Sequence, residues 1–182
     1  MNRCKWVNLK NELYVSYHDN EWGKPCHDEH ILYEMFILET FQAGLSWECI
    51  LNKRENFKFA FDNFDLEKVI NYDENKINEL LSNPKIIRNK LKINASIHNS
   101  KIFKTIQQEF SSFDNYIWHF SEYKVINEPY TTRTTSPLSD KISKDLKKRG
   151  MKFAGSTTIY SYLQAVGIIN GHGEECSYFE SN

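Results

Sequence analysis

Apolar residues recur at helical spacing along most of the chain. Leu32, Met35 and Phe36 lie three or four apart and predict a helix over residues 30–43. Residues 66–81 predict one or two short helices, broken at Asn83-Pro84. Leu91, Ala95, Ile102 and Ile106 predict a longer helix over residues 90–110. Ser139 is the expected N-cap of a helix that ends at Gly150, where Lys147, Lys148 and Arg149 suit the negative end of its dipole. A further apolar helix is predicted over residues 157–169, with Gly171 as its stop. Residues 127–136 are polar and predict a loop. Strand signals are few, and there is no repeat, low-complexity tract or linker. The expected class is therefore all-α, with one domain over residues 1–182, long enough to bury a core.

Composition narrows the setting. No apolar run approaches the ~20 residues needed to span a bilayer. The opening Met-Asn-Arg-Cys-Lys-Trp-Val lacks the apolar stretch of a signal peptide. The four cysteines are accordingly expected as reduced thiols in a cytoplasmic protein without a membrane partner. A net charge of −1 does not by itself advertise a polyanionic partner, but the distribution is uneven. From Leu80 to Gln108 there is no Asp or Glu, while Lys85, Arg88, Lys90, Lys92, Lys101 and Lys104 all fall in that stretch. A second basic run holds Lys141, Lys144, Lys147, Lys148, Arg149 and Lys152. Two such patches could dock a polyanion on one face; ordinary solvated helix faces are the alternative.

One acid is out of place. Glu39 lies seven residues after Leu32, four after Met35 and three after Phe36, so helical geometry puts it within the apolar stripe. A carboxylate among apolar neighbours is costly unless it is paired or hydrogen-bonded, and such placement can mark a binding site or an internal salt bridge. Tyr14 and Tyr17 share a helix face, Trp47 follows the Glu39 helix, and Trp6 and Trp22 lie upstream. Aromatic rings with one carboxylate suit a planar cation, which the rings stack on and the acid neutralises. Ordinary aromatic core is the alternative.

Two Cys/His pairs sit near opposite ends, Cys4 with His18 and His172 with Cys176. Together they offer two thiolates and two imidazoles, a tetrahedral set that zinc favours. Cys26, His27 and His30 form a rival local cluster. If four protein ligands close one site, no position remains for water or substrate, and the ion is structural.

Several segments carry a specific resemblance: Arg3-Cys4-Lys5-Trp6-Val7, Tyr17-His18-Asp19-Asn20-Glu21-Trp22-Gly23, Gln42-Ala43-Gly44-Leu45-Ser46-Trp47, Lys53-Arg54-Glu55-Asn56-Phe57, Leu146-Lys147-Lys148-Arg149-Gly150, and His172-x3-Cys176. With these the chain resembles the type I DNA-3-methyladenine glycosylases of the helix-hairpin-helix glycosylase superfamily, nearly end to end. The resemblance implies a helical bundle whose N- and C-terminal segments are joined by one structural zinc on Cys4, His18, His172 and Cys176. It leaves Cys26, His27 and His30 without a role. It places the base pocket on Glu39, Tyr14, Tyr17 and Trp47, with Trp6 and Trp22 as walls and Glu39 as the catalytic group.

The implied reaction is hydrolysis of the N-glycosidic bond of 3-methyladenine in alkylated double-stranded DNA. It releases the free base and leaves an abasic site, and the enzyme is expected to be a monomer. No Asp is nominated to activate water. The hairpin falls near residues 83–92, with Lys85, Arg88, Lys90 and Lys92 as phosphate contacts. Its turn lacks glycine, so Asn83 or Asn89 is expected at positive φ. A non-enzymatic zinc-stabilised DNA-binding domain and a zinc hydrolase with an open metal position are the competing readings.

Overall fold

In the computed structural model, which describes residues 1–129 and 133–179, one helix is surrounded by the others. This is α2 (Glu29–Gln42), and every residue from Leu32 to Phe41 on it is buried. The expected one-sided stripe is therefore a helix covered all round. Asp28 caps its start by accepting from the backbone N–H groups of His30 and Ile31.

Before α2 comes α1 (Glu12–Asn20), capped by Asn11. After it come α3 (Trp47–Leu51), α4 (Arg54–Ala60), α5 (Leu66–Val69) and α6 (Glu74–Ser82). Next are α7 (Lys90–Phe110), α8 (Phe113–Trp118), α9 (Pro137–Lys148) and α10 (Ser156–Ala165). Helices α3, α7, α8 and α10 pack on α2, and α9 packs on α10. The rings of Phe103 and Phe113 stack at 3.9 Å between α7 and α8. The class is mostly helical, with one parallel two-residue ladder between β1 (Ile126–Asn127) and β2 (Ile169–Asn170).

The structure corrects three local expectations. The N-cap of α9 is Ser136, not Ser139; the two serines form a reciprocal capping box with Pro137 inside the first turn. Helix α10 ends at Ala165, short of Gly171. Its stop is Gly167 at φ +71°, where a Cβ would lie 2.0 Å from the Lys24 carbonyl carbon. The glycine-free turn after α6 uses no positive φ: Asn83 has φ −83° and Asn89 φ −125°. Each asparagine instead accepts a backbone N–H on its side-chain oxygen, from Lys85 and from Lys92. Residues 130–132 of the expected polar loop lie outside the described residues.

Candidate functional site

Two carboxylates on α2 are buried, and they differ. Glu34 accepts from Nε of Arg54 at 2.7 Å, and the same guanidinium reaches Glu21 at 2.7 Å. Glu39, 3% exposed, has no such cation, and its Oε2 lacks any hydrogen-bond partner. Burial alone pushes the Glu39 carboxyl up to about 8. The internal salt bridge that would explain a buried acid is therefore found at Glu34 and not at Glu39.

Glu39 faces a cavity of about 140 Å³, the scale that admits one planar ring system. Its lining includes Trp6, Tyr14, Tyr17, Trp22 and Trp47. Trp6 packs on Tyr14 at 5.1 Å and edge-on against Trp22 at 4.8 Å, and Tyr17 packs on Trp47 at 5.2 Å. These rings arrive from α1, from the segments on either side of it, and from the start of α3. Ser46 caps α3 through the Cys49 N–H, which fixes the helix on which Trp47 is the first residue. The indole Nε1 atoms of Trp6 and Trp47 are also buried without partners. One carboxylate oxygen and two N–H groups thus line an aromatic slot unsatisfied, an arrangement that a protein interior rarely tolerates without a ligand.

Three further lining residues, Gln42, Ser161 and Gln164, were not expected in the site, although Gln42 opens one of the segments that carry the resemblance. Ser161 and Gln164 are three apart on α10, so they share a face of that helix.

The two Cys/His pairs converge behind this slot. The ligand atoms of Cys4, His18, His172 and Cys176 all lie within 4.8 Å of one another, and all four residues are buried. Cys176 Sγ is 3.6 Å from His18 Nε2 and 3.5 Å from His172 Nδ1, and Cys4 Sγ is 3.6 Å from His172 Nδ1. Zinc bonds of about 2.05 Å to nitrogen and 2.3 Å to sulfur, opened to the tetrahedral angle, separate N and S by about 3.6 Å. The spacing fits such an ion.

The other imidazole nitrogens are held as well. His18 Nδ1 donates to Asp19 at 2.8 Å, and Asp19 is gripped by Arg3, which holds its carboxyl down to about 2. His172 Nε2 donates to the Trp22 carbonyl at 3.1 Å. Burial lowers His172 to about 4, so its imidazole is neutral, and Nδ1 points its lone pair at the sulfurs. Burial also pushes the Cys4 thiol up to about 12, so a cation is what would favour its thiolate.

Cys26, His27 and His30 do not converge. His27 pairs with Asp114 and stacks on Trp118, while His30 bonds the Asn63 carbonyl. Among the described residues the terminal set is the one such cluster.

The basic turn after α6 exposes Lys85, Arg88 and Lys90. Lys92 does not join them. It is 7% exposed, and its ammonium donates to main-chain carbonyls of α2 and the loop that follows. A side chain turned inward in this way cannot reach a phosphate. No described helix is long and apolar enough to cross a membrane.

A family profile for methyladenine glycosylases matches residues 6–180. DNA-3-methyladenine glycosylase 1 of Escherichia coli K12 is 41% identical over 186 residues, covering 100% of this chain and 99% of that protein. A crystal structure of a 3-methyladenine DNA glycosylase I superposes with a TM-score of 0.92 at 40% identity, over 97% of this chain and 98% of that one. A Staphylococcus aureus 3-methyladenine DNA glycosylase I, described for its 3-methyladenine recognition, gives a TM-score of 0.91 at 33% identity. It covers 97% of this chain and 96% of its own.

Proposed function

The chain belongs to the methyladenine glycosylase family, and from that premise we propose that its aromatic slot receives the extruded base of a 3-methyladenine nucleotide in double-stranded DNA. Membership makes it a DNA glycosylase acting on 3-methyladenine, which displaces the reading as a non-enzymatic DNA-binding domain.

The observation that carries the pocket reading is Glu39, a buried carboxylate with an unpartnered oxygen among unpartnered indole N–H groups. Methylation at N3 gives the base a positive charge while it is bonded to the sugar. A cation in the slot favours the ionised form of Glu39, which burial otherwise opposes. Glu39 then accepts hydrogen bonds from the base and offsets its charge. Trp47 stacks on the base, Tyr14 and Tyr17 add stacking and hydrogen bonds, and Trp6 and Trp22 close the walls.

Cleavage breaks the bond between C1′ and the base nitrogen. Its electron pair leaves with the base, which departs as neutral 3-methyladenine. The oxocarbenium-like sugar takes a water molecule, which loses a proton and leaves an abasic site. A cationic leaving group needs no protonation, so the slot has only to hold the base and stabilise the positive charge that shifts to the sugar.

Cys4, His18, His172 and Cys176 would hold one zinc ion, which supplies a cross-link between the N-terminal segment and the tail. Four protein ligands leave no coordination position for water, so the metal is an anchor and the reading as an open-site zinc hydrolase is disfavoured. Lys85, Arg88 and Lys90 serve duplex binding as a monomer.

The test is incubation with methylated duplex DNA and identification of the bases released. Free 3-methyladenine without 7-methylguanine is expected; release of neither, by a folded protein, would overturn the reading.

A further inference from the structure

The last turn of α2 carries Glu39, and the chain then runs through residues 43–46 to deliver Trp47. A helix C-terminus leaves main-chain carbonyls unpartnered and concentrates partial negative charge. Here the carbonyls of Phe41 and Ala43 both accept from one side chain, Nζ of Lys92, at 2.8 and 2.6 Å. Lys92 is the third residue of α7, and its own N–H is held by the α7 N-cap, Asn89. Asn89 directly follows Arg88 and precedes Lys90, the exposed cations of the basic turn. A buried ammonium therefore joins the basic turn to the end of the helix that bears Glu39.

The loop beyond is held to the end of α2 by Gln42, whose carbonyl accepts from the Leu45 N–H at 2.7 Å. Gly44 stands at φ +79° with nothing within 4 Å of where a Cβ would lie, and the Gln42 amide donates to the Leu45 carbonyl at 2.9 Å. Burial disfavours the charged form of Lys92, and the two carbonyls at a negative helix end compensate for it.

We propose that Lys92 is a positioning residue: by holding the Phe41 and Ala43 carbonyls it fixes the end of α2 and the approach to Trp47, and so sets Glu39 and Trp47 against the base. It touches neither base nor phosphate. This rests on the slot binding 3-methyladenine.

Lys92→Met keeps the apolar stem and removes the donors; Lys92→Arg keeps charge and donors. Free 3-methyladenine binding is read from tryptophan fluorescence, excision from kcat and KM on methylated duplex, and duplex binding from the affinity for undamaged DNA across a salt series. All are measured below each variant's own unfolding transition. Lys92→Met should bind the free base about tenfold more weakly and lose a similar factor in kcat. Its affinity for undamaged duplex and the salt slope should match the wild type. Lys92→Arg should recover much of the base affinity.

An unchanged base affinity in folded Lys92→Met would reduce the residue to a stabiliser and overturn the inference. A salt slope shallower by about one would make it a phosphate contact and overturn it equally. Should Lys92→Met not fold, Lys92→Gln, which keeps one short donor, carries the same comparison. Failure of the wild type itself to bind the free base would bring down the pocket reading and this inference together. Wild-type binding with an unaffected variant brings down this inference alone.

Discussion

His172 Nε2 donates to the carbonyl oxygen of Trp22 at 3.1 Å, and the two rings meet edge to face at 4.7 Å. A member of the Cys/His cluster and a wall of the aromatic slot are thus joined by one hydrogen bond. His18 also packs against Trp6 at 5.3 Å. The cluster and the slot share their partition.

Removing the metal should therefore be felt in the slot. Binding of an ion to the native cluster adds directly to folding stability. Chelation, or Cys176→Ser, should lower the melting temperature by on the order of 10 °C. Free-base affinity should fall in step with helicity. Loss of excision at full helicity and full base affinity would instead indicate a metal engaged in the chemistry.

Glu39 should trade stability for function. The folded chain keeps the Glu39 proton up to about pH 8, whereas the ordinary carboxyl value is 4.5. The folded state thus binds more protons between those values, and its stability falls as pH rises through that window. Glu39→Gln removes the penalty. At pH 8 and above it should be more stable than the wild type by a few kcal/mol, and below pH 4.5 the two should converge. Excision should meanwhile drop by about 10²-fold or more, since the charge that meets the base is gone. Thermal melts across pH, paired with base release, check both halves. Full activity in Glu39→Gln would sink the assigned role.

The exposed cations of the turn should act through charge alone. Neutralising two of Lys85, Arg88 and Lys90 should reduce the slope of log affinity against log salt by about 1.8, with little change in free-base binding. Titrating undamaged duplex at several salt concentrations measures it. An unchanged slope would move the DNA-binding face elsewhere, with the basic run on α9 as the next surface to test.

What could be read from the chain follows from where each signal resides. Helix α7 was legible to the residue because its apolar spacing is local, although Asn89, expected at positive φ in the turn, serves as its N-cap. The start of α9 was misplaced by three residues because both partners of its capping box are serines, and only geometry says which is the N-cap. The end of α10 was overrun because its stop is tertiary: Gly167 gives way to the backbone of Lys24, far off in sequence. Lys92 was read as a phosphate contact for the same reason. Its charge belongs to a basic stretch, but its partners are carbonyls on another helix. Glu39 and the aromatic residues of the slot were conspicuous by residue type and motif. Ser161 and Gln164 were not, because α10 also carries Ser156, Thr157 and Thr158, and which polar residues meet the slot is decided only when α10 packs on α2.

Two glycines four residues apart should separate fold from pocket. At Gly167 a Cβ would strike main-chain atoms of Lys24 and Pro25 at 2.0 to 2.4 Å, and φ is positive. No side chain can yield there, so Gly167→Ala should destabilise by about 3 kcal/mol or more, or prevent folding. At Gly171 the backbone is not left-handed. A Cβ would meet the end of the Gln164 side chain at 2.5 Å and the Trp22 ring at 3.0 Å, both of which line the slot. Those groups can shift, but only at the expense of the cavity's shape. Gly171→Ala should therefore melt within a few degrees of the wild type and bind 3-methyladenine roughly tenfold more weakly, with kcat/KM falling alongside. Measuring melting temperature and base affinity for both variants settles it. If Gly171→Ala retains full affinity, neither Gln164 nor the edge of Trp22 shapes the base site.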